Sequence, residues 1–438
     1  MKRESAAHAA LHFAVAIALA LFATRNTPAI ADVPLTLPEA QRQAIARSQM
    51  IVAQEYAVTA SREMAVAAAQ FPDPVATLGV NNLPVNGPDA WSVTRDFMTM
   101  RSVGIMQEIT RAEKREARAE RFTREAEKSL AEKSARIATI QRDTALAWLD
   151  RYYAEAQLAI VDEQRSQAQL EIEAAESAYR AGRGNLADIV GARSALVMLD
   201  DRASELRRRA GNAKIALARW IGDAAESPLA GKPTIDAIRL DQRTPDDALA
   251  HHPQIAVLAK QEDVAAAEVK VAQVNKKPDW SVALMYSQRG SAYSNMVSLN
   301  VSVPLQWDQA NRQDREVAAK LAMRDQVRAE REDMLRAHTA EVRAMIAEWE
   351  NNRERSGRYE RELVPLASQR TDATIAAFRG AKASLVDMLV ARRNEIDVRL
   401  QALQLEMETA RLWAQLNFLI PDGDVATHAS ANQLKDRP

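Results

Sequence analysis

The chain has 438 residues, with 58 basic and 59 acidic side chains that nearly cancel to a formal net charge of −1, and it contains no cysteine. The balanced, interspersed charge argues against a nucleic-acid partner, which needs a basic excess, and fits solvated helix faces instead. Without cysteine there is no thiolate metal site and no lipid-modified N-terminal Cys.

The chain opens with Lys2 and Arg3, an apolar run from Leu11 to Ala23, and small residues ending at Ala29-Ile30-Ala31. This is the layout of a cleavable secretory signal, residues 1–31, so the mature protein is expected to begin near Asp32. A run of about thirteen apolar residues is shorter than the roughly 20 a membrane-spanning helix needs. No later stretch is long enough either, so any insertion into a membrane would have to use strands closed into a barrel.

Only 13 glycines and 16 prolines interrupt a composition rich in Ala, Glu, Arg, Gln and Leu, the bias of long helices. Pro38 opens a helix predicted over Leu37 to Gln70, and Phe71-Pro72-Asp73 ends it. A strand pair follows to Ile109. From Arg111 to Ala181 there is neither Pro nor Gly, which predicts one helix of about 70 residues, roughly 105 Å long. A tight turn leads into a returning helix from Asn185 to Ile221.

The same plan then repeats. Residues 32–222 form a first repeat, 223–243 a linker, 244–420 a second repeat and 421–438 a tail. Ala178 to Asp188 aligns without gaps on Ala377 to Asp387, Pro245 answers Pro38, and Lys277-Pro278-Asp279 answers Phe71-Pro72-Asp73. The second repeat is predicted as a helix from Pro245 to Asn275, a strand pair to Leu305, a long helix from Arg312 to Arg379, and a return from Ser384 to Leu419. In each half the two shorter helices together match the long one, so stacked end to end they can pack along it and build a helical cylinder about 100 Å tall.

The strands alternate with period two. Trp280, Val282, Leu284 and Tyr286 share a face opposite Ser281, Ala283 and Ser287, while Val297, Leu299, Val301 and Val303 oppose Ser298, Asn300 and Ser302. In the first half Ala76, Leu78 and Val80 oppose Thr77, Gly79 and Asn81, and Val103 and Ile105 oppose Ser102 and Gly104. Apolar-out, polar-in strands of about nine residues match a transmembrane barrel; a soluble hairpin packed on helices would alternate in the same way. Four strands cannot enclose an open lumen, since even eight leave an interior filled by side chains, so three copies giving twelve strands are expected.

Here the chain resembles the TolC family of outer-membrane efflux proteins over nearly all of the mature sequence. The resemblance rests on Leu363-Val364-Pro365, then Phe378, Leu385, Asp387 and Leu389, the helix running on to Leu416, and the duplicated plan itself. It implies a mostly helical fold with a small β part. Long antiparallel helices would form a periplasmic α-barrel, and four strands per chain would contribute to a trimeric twelve-stranded barrel in the outer membrane. It implies a homotrimer in outer-membrane lipid, docked to a periplasmic membrane-fusion adaptor and an inner-membrane pump of the RND type. Gln107-Glu108-Ile109 and the basic run after it are most similar to the heavy-metal branch, the CzcC- and CusC-like members. Two departures stand out: Gly380 comes one place early, leaving Ala381 aligned with Gly182, and Ala112-Glu113-Lys114-Arg115 stands where the family often has Gly-Lys-Arg.

The turns at the far end of the long helices from the strands are the expected adaptor-docking tips: Arg183, Gly184, Asn185 and Leu186 in one, Ala381, Lys382, Ser384 and Leu385 in the other. Asp188 and Asp387, one turn into the returning helices, are expected at the periplasmic entrance. There they could ring the pore or, as Asn185-x-x-Asp188 and Ser384-x-x-Asp387, form capping boxes.

No catalytic constellation or cofactor site is expected. The mature chain's histidines are His251, His252, His338 and His428, and His251-His252-Pro253 reads as a helix start rather than a metal site. Met98, Met100, Met106, Met285 and Met296 cluster at the hairpins, where thioethers could meet soft cations or simply fill gaps. The expected function is a passive efflux conduit for heavy-metal cations, with drug export or type I secretion as alternatives. A periplasmic adaptor or coiled-coil scaffold would share the helices, but it would also carry a Gly-rich lipoyl-like β domain for which the sequence offers no segment.

Overall fold

The computed structural model describes residues 34–182, 184–240, 252–380 and 382–421. The expected signal segment, His251, Pro245, Arg183, Ala381, His428 and all of the expected tail except Pro421 lie outside the described residues.

The first repeat runs α1 (Leu37–Arg47), α2 (Gln49–Ala68), β1 (Val75–Asn81), β2 (Met100–Ile109), α3 (Ala112–Arg180) and α4 (Leu186–Ile221). The second runs α5 (Pro253–Asn275), β3 (Trp280–Gln288), β4 (Met296–Ser302), α6 (Gln313–Arg358), α7 (Val364–Arg379) and α8 (Leu385–Asn417). At 69 residues, α3 is about 104 Å long.

Two predicted helices are interrupted. The first breaks at Ser48, whose backbone is extended (φ −72°, ψ 106°); its N–H still reaches Ile45 O, and its Oγ accepts from Ile51 N–H at 3.4 Å to start α2. The second long helix contains a single π turn over Tyr359–Leu363, where Val364 N–H reaches back to Tyr359 O. The cause is Pro365, which has no N–H to donate and whose ring would crowd the carbonyl four residues back in a regular helix.

α3 is the spine. α2 and α5 pack along its strand-proximal part, α4 runs antiparallel along the remainder, and α8 crosses to it from the second repeat. Where these meet, Trp148, Leu149 and Tyr153 are fully buried with Ile45, Leu217, Ala410 and Ala414. The chain segments around this belt are tied by hydrogen bonds: Trp148 Nε1 to Leu35 O at 3.1 Å, Arg151 Nη1 to Ala225 O at 2.7 Å, and Gln41 Nε2 to Gln141 O at 2.9 Å.

The four strands form one antiparallel sheet in the order β1-β2-β3-β4, so the two hairpins are joined between β2 and β3. Leu78 pairs with Val103, Val103 with Tyr286, and Tyr286 with Val297. A second row runs Ala76, Ile105, Leu284 and Leu299.

Candidate functional site: the open sheet and the hairpin tips

This register places every large aliphatic or aromatic side chain of the two rows on one face. That face is uncovered: Leu78 is 80% and Leu299 68% exposed. The opposite face carries Thr77, Gly79, Asn81, Ser102, Gly104, Ser281, Ser287, Ser298, Asn300 and Ser302. Asn81 donates to Ser102 Oγ at 3.0 Å on it, and Ser102 and Ser287 are buried in its curvature. β1 and β4 are the sheet's edges. Among the described residues no helix is long and apolar enough to cross a membrane.

The far ends of the hairpins are closed by interlocking loops. Arg289 Nε donates to Phe97 O at 2.9 Å, and Gly290 lies so close to the other loop that a Cβ there would stand 2.0 Å from Thr94 O. At the opposite margin Asp279, just before β3, accepts from Lys114 Nζ at 2.8 Å and from Arg111 N–H at 3.1 Å. The second repeat's copy of the Pro-Asp landmark thus anchors the sheet to the start of α3 in the first repeat.

At the tips, both capping boxes form. Asn185 Oδ1 accepts from Asp188 N–H at 2.9 Å while Asp188 Oδ2 accepts from Asn185 N–H at 3.2 Å. Ser384 Oγ accepts from Asp387 N–H at 3.1 Å, and Asp387 Oδ2 accepts from Ser384 N–H at 3.0 Å and from its hydroxyl at 2.7 Å. Those side-chain and backbone bonds from Ser384 hold the Asp387 carboxyl below the usual range.

The offset glycine also has its explanation. Ala181 (φ −83°, ψ 6°) and Gly380 (φ −84°, ψ 8°) occupy the same helix-ending geometry, so no glycine is required there. The left-handed position falls one residue later, on Gly182 (φ 72°), whose counterpart is Ala381. Gly184 sits against the preceding helix end, where a Cβ would come 3.2 Å from Tyr179 N, while Lys382 N–H closes the second turn on Ala377 O at 2.8 Å.

The two tip leucines are not equivalent. Leu186 is 61% exposed, but Leu385 is only 4% exposed and packs with Ile172, Ala175, Ile189 and Ala192. Leu385 therefore pins one tip against the other and presents no surface for a partner. The sequence alignment treats the two as matched because it records chain position and not which helix face meets a neighbour. Above the tips α8 is held to the first repeat by Arg202–Asp397 at 2.8 Å, Arg399–Glu163 at 3.1 Å and Arg392–Glu171 at 3.3 Å. Burial pushes the Glu171 carboxyl up, against the pull of Arg392.

His252 caps α5, its Nδ1 accepting from Gln254 N–H at 3.3 Å. It is also buried against His338, with ring centroids 4.2 Å apart, a contact no local sequence signal marks. Burial, with the nearby His338 and Arg142 charges, pushes it down to about 4. Among the described residues no group of three or more His, Cys, Asp or Glu is arranged to hold a metal.

Residues 244–420, the second repeat, match the family described as outer membrane efflux protein. No curated protein sequence matches the chain. Among solved structures, the outer-membrane channel OprN aligns at TM-score 0.73 with 17% identity, covering 88% of this chain and 90% of its own. VceC from Vibrio cholerae, an outer membrane protein, aligns at 0.71 with 18% identity over 87% and 95%. CusC, whose structures concern transmembrane channel formation, aligns at 0.74 with 15% identity over 89% and 93%. The second repeat thus carries the outer membrane efflux protein pattern, and the chain as a whole has the fold of the outer-membrane channels.

Proposed function

We propose that the protein is the outer-membrane component of a tripartite efflux system, a passive trimeric conduit whose cargo is a heavy-metal cation. One observation carries the channel reading: a four-stranded sheet with a continuous uncovered apolar face and two unpaired edges, built onto helices about 100 Å long. In a bilayer every strand edge must be paired, so β4 of one copy must meet β1 of the next. Three copies then close twelve strands around a lumen faced mostly by Ser, Thr, Asn and Gly residues. The helices extend the lumen into the periplasm, and the tips meet a membrane-fusion adaptor fed by an RND-type pump.

Exposed Leu186 and the turn residues Asn185 and Lys382 offer the adaptor contact surface, while Asp188 and Asp387, already satisfied as caps, would in a trimer also form acidic rings that favour cations. The metal cargo is suggested by the likeness of residues 107–109 to the heavy-metal branch. Deleting the gene should sensitise the host to copper, silver, zinc, cadmium or cobalt, and the detergent-solubilised protein should have the mass of a trimer. A soluble periplasmic monomer would refute the channel. Loss of resistance to organic drugs alone would keep the channel and discard the metal. Leu186→Lys should abolish efflux in a trimer that still assembles.

A further inference from the structure

The polar face of the sheet breaks its own pattern in one respect. Its members are small and neutral except at Val75 and Glu108 near its margin and at the methionines. By register, Met100, Met106, Met285 and Met296 all lie on this face, none on the apolar one. Three of them are neighbours: Met106 is opposite Ala283, two residues from Met285, and Met296 is opposite Ser287, two residues from Met285 on the other side. Diagonal cross-strand neighbours of this kind lie about 7–8 Å apart, within reach of long side chains. The three thioethers therefore form one stripe across β2, β3 and β4.

Methionine usually serves as a filler of irregular gaps in a core. That account does not hold here. The cross-strand partners of Met285 are Gly104 and Ser298, that of Met296 is Ser287, those of Met106 are Val75 and Ala283, and Met296 and Met106 are exposed. There is no core on this face to fill. Gly104 leaves the middle of the stripe without a side chain of its own; a Cβ there would crowd Leu284 O at 3.0 Å and touch Met285 Cα and Cβ at 3.4 Å. Large apolar side chains on a face otherwise built for water are a departure from binary patterning of the sort that marks function. The atoms they bring are uncharged sulfurs, which prefer soft, weakly hydrated cations and leave hard ones to water and carboxylate.

We propose that Met106, Met285 and Met296 form a luminal binding stripe for a soft thiophilic cation of the Cu(I) or Ag(I) class, transiently held as it crosses the barrel. This deepens the conduit reading and rests on it. Uncharged, spaced donors suit passage, because conduction requires sites weak enough to release the ion to the next.

The test uses the purified full-length protein in planar bilayers, in chloride-free potassium nitrate, with silver nitrate as the probe. Potassium conductance without silver tests the conduit itself, and its absence would overturn both readings. With conductance present, micromolar silver should produce resolved blocking events in the wild type. The triple variant M106L/M285L/M296L should need at least tenfold more silver for the same block, with unchanged potassium conductance. M285L alone, which removes the middle sulfur, should lengthen no blocking event and shorten most, so the test stands if the triple variant fails to assemble. A wild-type pore that conducts potassium and ignores silver, or variants blocked as well as wild type, would overturn the stripe and leave the conduit in place.

Discussion

One of the ties between sheet and tunnel is a buried ion pair, and removing half of it should cost more than removing all of it. Lys114 is 5% exposed, and its ammonium group reaches Asp279 at 2.8 Å; Asp279 also accepts from Arg111 N–H. Asp279→Ala strands a buried ammonium with no partner, a change that costs about 3–5 kcal/mol. Replacing both residues by apolar ones of similar volume, Lys114→Met with Asp279→Leu, removes the uncompensated charge and should come close to neutral, apart from about 1 kcal/mol for the bond lost at Arg111 N–H. Urea unfolding of the protein in liposomes, read for the wild type, Lys114→Met, Asp279→Leu and the double, gives the full cycle, with Asp279→Ala read beside it. The expected order is Asp279→Ala least stable, the double close to wild type. A loss below about 1 kcal/mol in Asp279→Ala would refute the argument, as would a double variant as unstable as the single.

Three further outcomes follow from contacts already described. Gly290→Ala should separate the two outer loops, because its Cβ would meet Thr94 O at 2.0 Å; external protease should then cut residues 82–99 several-fold faster on intact cells, while the trimer persists. Leu385→Ala should loosen the tips by about 2–5 kcal/mol, whereas Leu186→Ala should stay within about 0.5 kcal/mol, a contrast that hydrogen exchange at the tips would read directly. His252, held near 4 against an ordinary 6.5, is neutral in the folded protein, so its contribution is complete above pH 6.5 and is lost as pH falls toward 4. That shift corresponds to about 3 kcal/mol, and His252→Asn, whose side-chain oxygen can take over the capping bond from Nδ1, should flatten the acid side of the stability profile over that window.

Much of this architecture is legible in the sequence because its signals are long. A 69-residue helix without Pro or Gly, and four strands that keep period-two alternation along most of their length, leave little room for another fold. The capping boxes were readable for the same reason: Asn185 and Asp188, like Ser384 and Asp387, carry the right chemistry at a fixed local spacing. Features set by contacts between distant segments were not readable. Ser48 lies in Ala46-Arg47-Ser48-Gln49, which holds no strong helix breaker, and the kink exists because α1 must pack at the Trp148 belt while α2 follows α3. The burial of Leu385 depends on four residues from α3 and α4, and the His252–His338 contact joins side chains 86 positions apart by their numbering. Pro365 was visible in the sequence, yet the helix absorbs it in a π turn without ending, which only the geometry of the whole wall decides.

The two repeats share a plan but not a mechanical character. α3 is continuous, and buried side chains recur along it from Lys114 to Ala175 because α2, α4, α5 and α8 all pack on it. Its counterpart is interrupted at Tyr359–Leu363, and the α6 segment before Val342 has no buried residue. Few buried contacts and a π turn mark the part of a structure that deforms at least cost. The ion pairs that tie α8 to α3 and α4 reach from this softer repeat to the stiffer one, so they set how far α7 and α8 stand from the first repeat. Any change in tunnel aperture should therefore bend the second repeat at the π turn and stretch those pairs, with α3 as the fixed stave. The duplicated sequence conceals this division of labour, since Pro365 and the pattern of burial differ between repeats whose helix lengths and tip motifs agree.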